Sequence, residues 1–177
     1  LPADDTLSVD ATLGFCYYLV PDSTALVPAP VADNCLGDGG YFRNNYNFDA
    51  NLYHQQIPVG VHDIRWIYRD KWGNADTMFQ HLTVVDVEGP NASCKDTTVY
   101  LDGNGEAFID SSFINNGTTD YCGITSMALD QYTLDCADVL PSPYAPVVMT
   151  VTDINGVSSS CTAHVRVIDD MKPVIHP

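Results

Sequence analysis

Positive charge is what this sequence has least of. Its 177 residues carry seven Lys and Arg against 23 Asp and Glu, a formal net charge of −16. A nucleic-acid surface needs Lys and Arg in number to displace phosphate counterions, and an anionic membrane surface needs the same. Neither partner fits this chain. No apolar run is long enough to span a bilayer, and no signal peptide is evident. Catalytic and metal signatures are also missing. There is no Cys-x-x-Cys, no zinc-finger spacing, no EF-hand pattern, no His-Glu-x-x-His and no Gly-x-Ser-x-Gly. The five histidines are scattered, and in a chain this acidic pairs of carboxylates arise by chance. The expectation is a protein without enzymatic activity. With both ends reading as mid-array sequence, it is expected to be a segment of a longer secreted or surface protein.

What the chain does hold is one stretch used twice. Ile64 to Asp86 reads IRWIYRDKWGNADTMFQHLTVVD, and Val147 to Asp169 reads VVMTVTDINGVSSSCTAHVRVID. Asp70 and Asp153 are 83 residues apart, and the same offset carries Gly73 to Gly156, Met78 to Cys161, His81 to His164 and Pro90 to Pro173 without a gap. Such a repeat means two copies of one module. Each copy reads as a β-hairpin. Ile64, Trp66 and Tyr68 alternate with Arg65, Ile67 and Arg69, and Val147, Met149 and Val151 alternate with their neighbours. The turn is Asp-x-x-Gly in both, where Asp bonds the backbone ahead of it and Gly accepts a positive φ. In the returning strand Leu82, Val84, Val165 and Val167 should face the core, and His81 and His164 should face out.

Around the hairpins the chain reads as short strands and turns. Strands are expected at 6–9, 12–20, 97–101, 106–110, 124–129 and 132–136. Prolines 21, 28 and 30 mark a crossing segment, and 111–119 reads as a polar loop. Tyr41 to Tyr53, YFRNNYNFDANLY, has no counterpart in the second copy. Its Tyr, Phe and Asn suit a binding loop, but aromatics also complete sandwich cores. Val87-Glu88-Gly89-Pro90 is a short linker stiffened by proline, so the modules are expected to stack end to end.

The order LPADDTLSVD, a Cys a few residues on, DNC, a D-x-x-G-N turn and a closing strand ending in VVD then Pro resembles the hyalin repeat (HYR) domain. The second module, CKDTTVYLDGNGEAFI…DYCGI…DC…VVMTVTDINGVSSSCTAHVRVID, resembles HYR-like repeats of repeat-rich secreted or surface adhesins of Bacteroidota. The resemblance implies an all-β protein of two tandem immunoglobulin-like β-sandwich domains, at 1–88 and 89–170, with 171–177 leading to a further module. It also implies a role in adhesion or extracellular architecture, and it lends no catalytic residue. Six cysteines in such a chain point to an oxidising compartment. On this alignment Leu1 and Met78 stand where Cys94 and Cys161 do, so both cysteines are missing together from module one. The expected pairs are therefore Cys94–Cys161, Cys122–Cys136 and Cys16–Cys35. Loop closure values them at about 3 kcal/mol for the short loops and about 4 kcal/mol for the long one.

Calcium is the expected cofactor, since carboxylates, amides and carbonyls supply its six to eight oxygens. The candidates are Asp86 and Glu88 at the first linker, Asp169 and Asp170 at the second, and Asp33 with Asn34 and Asp70 with Asn74 near the sandwich ends. These acids also read simply as turn caps or solvated charges. Trp72 sits at a turn tip where a small polar residue is usual. With Tyr41, Tyr46 and Tyr53 it would form a platform for a glycan or protein, or it would contact a neighbouring module. Asn91 and Asn116 head N-glycosylation sequons. Thr6 and Thr77 sit in Asp-Thr-apolar motifs of the bacterial O-glycosylation type. The functional expectation is a stiff, disulfide-stapled repeat segment of an extracellular filamentous or adhesive surface protein, whose partners are its own neighbouring modules. The alternatives are a glycan- or protein-binding module, and an accessory segment of a secreted enzyme.

Overall fold

A computed structural model describes residues 5–21, 40–48, 51–139 and 144–174. The chain divides into two compact units, Leu1–Val87 and Glu88–Pro177. Both are built almost wholly of β-strands.

In the first unit the hairpin is the spine. β5 (Gly60–Arg69) and β6 (Ala75–Val85) pair antiparallel from Gly60↔Val84 to Arg69↔Ala75. On the outer side of β6 lies β1 (Asp5–Asp10), parallel to it from Asp5↔Gln80 to Asp10↔Val85. On the outer side of β5 lies β3 (Tyr41–Asn44), antiparallel. The sheet order is therefore β1-β6-β5-β3, and β2 (Tyr17–Leu19) with β4 (Gln56–Pro58) forms a second, two-stranded sheet. The side chains that alternate inward meet in a core of Val20, Leu52, Ile57, Ile64, Trp66, Leu82 and Val84. Trp66 is too large for its indole N–H to go unpaired in such a core. It donates to Gln80 Oε1 at 3.1 Å, and both residues are buried.

The second unit repeats this arrangement. β11 (Tyr144–Asp153) and β12 (Ser158–Ile168) form the hairpin, β7 (Thr97–Tyr100) runs parallel to β12, and β9 (Ile124–Leu129) pairs with β11. β8 (Glu106–Phe108) and β10 (Thr133–Asp135) form the small second sheet. Two sheets of this order, with the first strand parallel to the last, make an immunoglobulin-like β-sandwich. The chain is thus all-β, with two tandem domains of that class. Met149 and Ala163 occupy the positions of Trp66 and Gln80 in the repeat and are buried, so this polar contact of the first core has an apolar counterpart here.

Several expectations are corrected. The stretch 12–20 yields only the three-residue β2, because a turn closes ahead of it, with Phe15 N–H donating to Thr12 O. The polar stretch 111–119 contains a single helical turn, α1 (Ser111–Ile114), capped by Asp110, which buries Ile114 in the core. Polar composition hid that one apolar anchor. The expected Cys122–Cys136 pair is absent. Cys136 is a free, exposed thiol in the turn after β10, its sulfur turned to Gly105 O, whereas Cys122 precedes β9 on the other sheet and is disulfide-bonded. Cys94 and Cys161 are bonded, with Cα atoms 5.7 Å apart. Cys16 is disulfide-bonded, and Cys35 lies outside the described residues.

The Trp66–Gln80 contact makes a stability prediction. Gln80→Ala leaves the indole N–H buried and unpaired, at a cost of about 1–3 kcal/mol. Urea unfolding should show the midpoint of the first unit falling with its slope unchanged. An unshifted midpoint would mean that the hydrogen bond contributes nothing net.

Candidate functional site

Three turns share one design. Asp70-Lys71-Trp72-Gly73, Asp102-Gly103-Asn104-Gly105 and Asp153-Ile154-Asn155-Gly156 each place Asp first and a left-handed Gly fourth, with φ of +94°, +79° and +91°. In each, the Asp N–H bonds the carbonyl four residues on, and the Gly N–H returns to the Asp carbonyl. The Asp carboxylate then caps the turn from inside. Its Oδ1 accepts from Asn74 N–H at 2.8 Å in the first turn, from Asn104 and Glu106 N–H at 2.8 and 3.1 Å in the second, and from Asn155 and Val157 N–H at 2.8 Å each in the third.

The second carboxylate oxygen is where the repeats part. In the first copy Asn74 Nδ2 donates to Asp70 Oδ2 at 2.7 Å. In the second, Val157 stands at the Asn74 position and offers nothing. Asp153 is 1 % exposed, and its Oδ2 has no hydrogen-bond partner. Close by runs the loop that leads into β9. There Asp120 Oδ1 accepts from Cys122 and Gly123 N–H at 2.8 and 2.7 Å, and Gly123 O accepts from Ile154 N–H at 3.0 Å. This last bond ties the loop to the turn and brings carboxylate oxygens of Asp120 and Asp153 within 4.8 Å of each other. Two unit charges at 4.8 Å repel by about 3.5 kcal/mol at an effective dielectric of ~20, more than one hydrogen bond returns. A site of this charge and depth is complementary to a cation.

The acids singled out in the sequence take several places. Asp70 and Asn74 are joined, but to each other, as a turn cap. Asp169 and Asp170 follow β12 at the end of the unit opposite the Asp153 turn. Both are exposed, and Asp169 caps Met171 N–H at 3.0 Å. Asp86 is buried and Glu88 half-buried just after β6. Asp33 and Asn34 lie outside the described residues. Asp120 escaped notice as a ligand because an isolated Asp carries no pattern. The signal that could have found the place was Val157, an apolar residue where the first copy holds the carboxylate's partner.

The aromatic candidates divide as well. Tyr46 and Tyr53 are half-buried and pack against the first core. Trp72 is exposed at its turn tip, with Lys71 Nζ 4.8 Å from its ring centroid. Tyr41 is exposed and lines a cleft of about 250 Å³ on the outer face of the first unit. Among the glycosylation candidates, Thr77 is exposed on β6 and Thr6 lies in β1. The two sequons lie side by side: Asn91 bridges to Thr119, Asn116 N–H donates to Ser93 O at 2.9 Å, and Ser93 N–H donates to Thr118 Oγ1 at 3.1 Å. Both Asn91 and Asn116 are exposed.

No protein-family model and no curated protein matches the chain. Solved structures do match it. Human mucin-like protocadherin EC1-2 is 13 % identical with a TM-score of 0.44, over 94 % of this chain and 97 % of that one. Human protocadherin-24 EC1-2 is 8 % identical with a TM-score of 0.41, over 96 % and 97 %. The N-terminal four Ig domains of Dscam1 isoform 6.9 are 14 % identical with a TM-score of 0.43, over 94 % of this chain and 45 % of that one. Likeness at this level concerns fold alone, and no residue role is carried over from these proteins. Among the described residues no helix is long and apolar enough to cross a membrane.

The turn carboxylates set an acid limit on stability. For Asp70, burial opposes ionisation, but hydrogen bonds from Asn74, Trp72 and Gly73 outweigh it and hold the carboxyl below its ordinary value. Asp102 is lowered first by the Glu106 and Asn104 N–H groups, and Asp110 by the Ser112 hydroxyl and N–H. A carboxyl whose folded value is depressed stabilises the fold above its unfolded value of about 3.9, and that contribution is lost as pH falls through the folded value. The melting temperature should therefore be level from about pH 7 to 5 and drop below pH 4. Asp102→Asn should lower it at pH 7 and flatten the acid drop. An acid profile unchanged by that substitution would contradict the assignment.

Proposed function

We propose that the chain is a load-bearing structural segment of an extracellular adhesive or filamentous protein of the hyalin-repeat type, from a bacterial surface, and that it works without catalysis. The observation that supports this reading most directly is the parallel pairing of the first strand of each unit with the last. β1 meets β6 over six residue pairs, and β7 meets β12 over four. Pulling on the two ends of such a unit draws these strands past each other in shear. The ladder hydrogen bonds across the pair then bear the load together instead of opening one by one. The Cys94–Cys161 bond extends the same logic. Cys94 precedes β7 and Cys161 lies in β12, 67 positions on, so the covalent link shunts tension past the chain between them. The acidic surface keeps like chains apart and soluble, and the disulfides suit an oxidising exterior.

Single-molecule pulling tests this. At ~3.6 Å per extended residue, 67 residues correspond to about 240 Å of chain. Unfolding the second unit should release at least about 240 Å less contour length under oxidising than under reducing conditions, since reduction also opens the bond at Cys122. Val99→Pro, which interrupts β7 against β12, should lower the unfolding force of that unit and leave the first unit unchanged. Equal contour lengths in both conditions, or a force indifferent to Val99→Pro, would remove the mechanical reading.

Calcium belongs to the same proposal, at Asp120 and Asp153 of the second unit. The unpartnered oxygen of Asp153 supports it, because a hard cation takes carboxylate oxygens and tolerates backbone carbonyls and water for the rest. Binding would remove the repulsion between the two carboxylates and fix the β9 loop to the hairpin turn. Calorimetric titration of chelator-stripped protein with Ca²⁺ should give heat and raise the melting temperature. Asp153→Asn should abolish both effects, whereas Asp169→Asn and Asp170→Asn should change neither. Absence of heat in the unaltered protein would end this part of the proposal.

A further inference from the structure

Basic residues are scarce in this chain, yet four of the seven, Arg43, Arg65, Arg69 and Lys71, fall between positions 43 and 71. Strand register explains how three of them meet. β3 pairs with β5 so that Tyr41 lies opposite Arg69 and Arg43 opposite Ile67. Cross-strand partners share a face, and side chains along a strand alternate. Ile64 and Trp66 point into the core, so Arg65, Ile67 and Arg69 point out, alongside Tyr41 and Arg43. With Phe48 these side chains line the 250 Å³ cleft. The Arg43 guanidinium lies 5.0 Å over the Tyr41 ring, and Arg69 donates to Gly73 O at 2.9 Å. Among the described residues no carboxylate pairs with Arg43, Arg65 or Arg69, although the protein carries 23 acids.

Folding does not require this cluster. In the second unit the positions 83 residues beyond Arg65, Ile67 and Arg69 are Val148, Thr150 and Thr152. Their partners on β9 are Ala128, opposite Thr150, and Ser126, opposite Thr152, where the first unit has Arg43 and Tyr41. At these positions the second unit has no Lys or Arg, and Asp130 lies beside Val148 where the first unit has Asn45 beside Arg65. Phe48 adds a backbone observation. It is 73 % exposed and holds a left-handed φ of +63°. Bulky residues avoid that region, and backbone outliers of this kind gather at functional sites.

We propose that the cleft is a binding site for a carboxylate-bearing carbohydrate, a uronate ring presented by an acidic glycan. The guanidinium fork matches a carboxylate in two parallel, charge-assisted hydrogen bonds, and a neutral sugar lacks the charge that strengthens them. The Tyr41 and Phe48 rings and the Ile67 side chain supply flat apolar surface for a sugar ring. The volume lies below the roughly 300–1,000 Å³ of drug-sized pockets, so one or two rings fill it. An acidic peptide would share the charge, and arginine clusters also take acidic motifs, but the Tyr41 and Phe48 rings offer flat apolar surface that a sugar ring stacks on and a run of carboxylates leaves unused. Here the recognising groups are side chains on a sheet face. This site goes beyond the structural role and stands independently of it.

The test is titration of the intact chain with tetragalacturonate at low salt, followed by NMR or calorimetry, beside cellotetraose and a poly-glutamate peptide of equal charge. Tetragalacturonate should bind, and its affinity should weaken as salt rises, since exposed charges are screened. Cellotetraose should not bind, and poly-glutamate should bind at least tenfold more weakly. Arg43→Ala with Arg65→Ala should reduce tetragalacturonate affinity by about tenfold, the scale of two exposed ion pairs. Lys95→Ala with Lys172→Ala changes net charge equally on the other unit and should leave affinity within about twofold. The proposal is overturned by silence with tetragalacturonate, by equal binding of cellotetraose or poly-glutamate, or by an equal loss in the two double variants.

Discussion

In each unit one strand of the hairpin carries a parallel partner on its other side, and the rest of the structure hangs on it. β6 lies between β1 and β5, and β12 lies between β7 and β11. Because side chains alternate along a strand, this double pairing settles two surfaces at once. Gln80, Leu82 and Val84, with Ala163, Val165 and Val167, form the inner face, while the intervening residues face away. The parallel partner brings the two ends of a unit onto neighbouring strands. That arrangement closes the sandwich and also determines how tension would cross it. The Cys94–Cys161 bond reinforces the same junction covalently.

The two copies keep this frame and vary what is mounted on it. Trp66 with Gln80 becomes Met149 with Ala163, so a hydrogen-bonded pair is exchanged for an apolar one and the core stays satisfied. Asn74 becomes Val157 with no such compensation, and a buried carboxylate oxygen is left unpartnered. Arg65 and Arg69 become Val148 and Thr152, and the basic cluster of the outer face is lost. The compensated change follows from packing. The other two have no packing reason, and they coincide with the places whose chemistry suits a ligand: a cation near Asp153 and an anion between the arginines.

Much of this architecture is legible in the sequence because it is local. Period-two alternation around Asp-x-x-Gly shows both hairpins, with Leu82, Val84, Val165 and Val167 buried as the parity requires. Where burial depended on a distant partner, the reading failed. Ile114 is an apolar residue in a polar stretch, and only the core it fills explains the helical turn beneath it. Tyr46 and Tyr53 suit a binding loop in composition, and only the folded chain shows that they also pack against the core. Cys122 and Cys136 are left to each other once Cys94 and Cys161 are paired, but they sit beside different sheets and Cys136 is a free thiol.

By itself, then, the sequence determined the duplication, the strand parity, the capped turns and the acidic balance, since each follows from neighbours within a few residues or from composition. Tertiary structure alone decided which charges meet. Asp120 and Asp153 are 33 residues apart and approach only because the β9 loop docks on the hairpin turn. Arg43 joins Arg65 and Arg69 only through the β3–β5 register, and a shift of one residue would have turned it to the opposite face. Electrostatics depends on distance in space. That distance is set by strand pairing, which no local pattern in a single chain specifies.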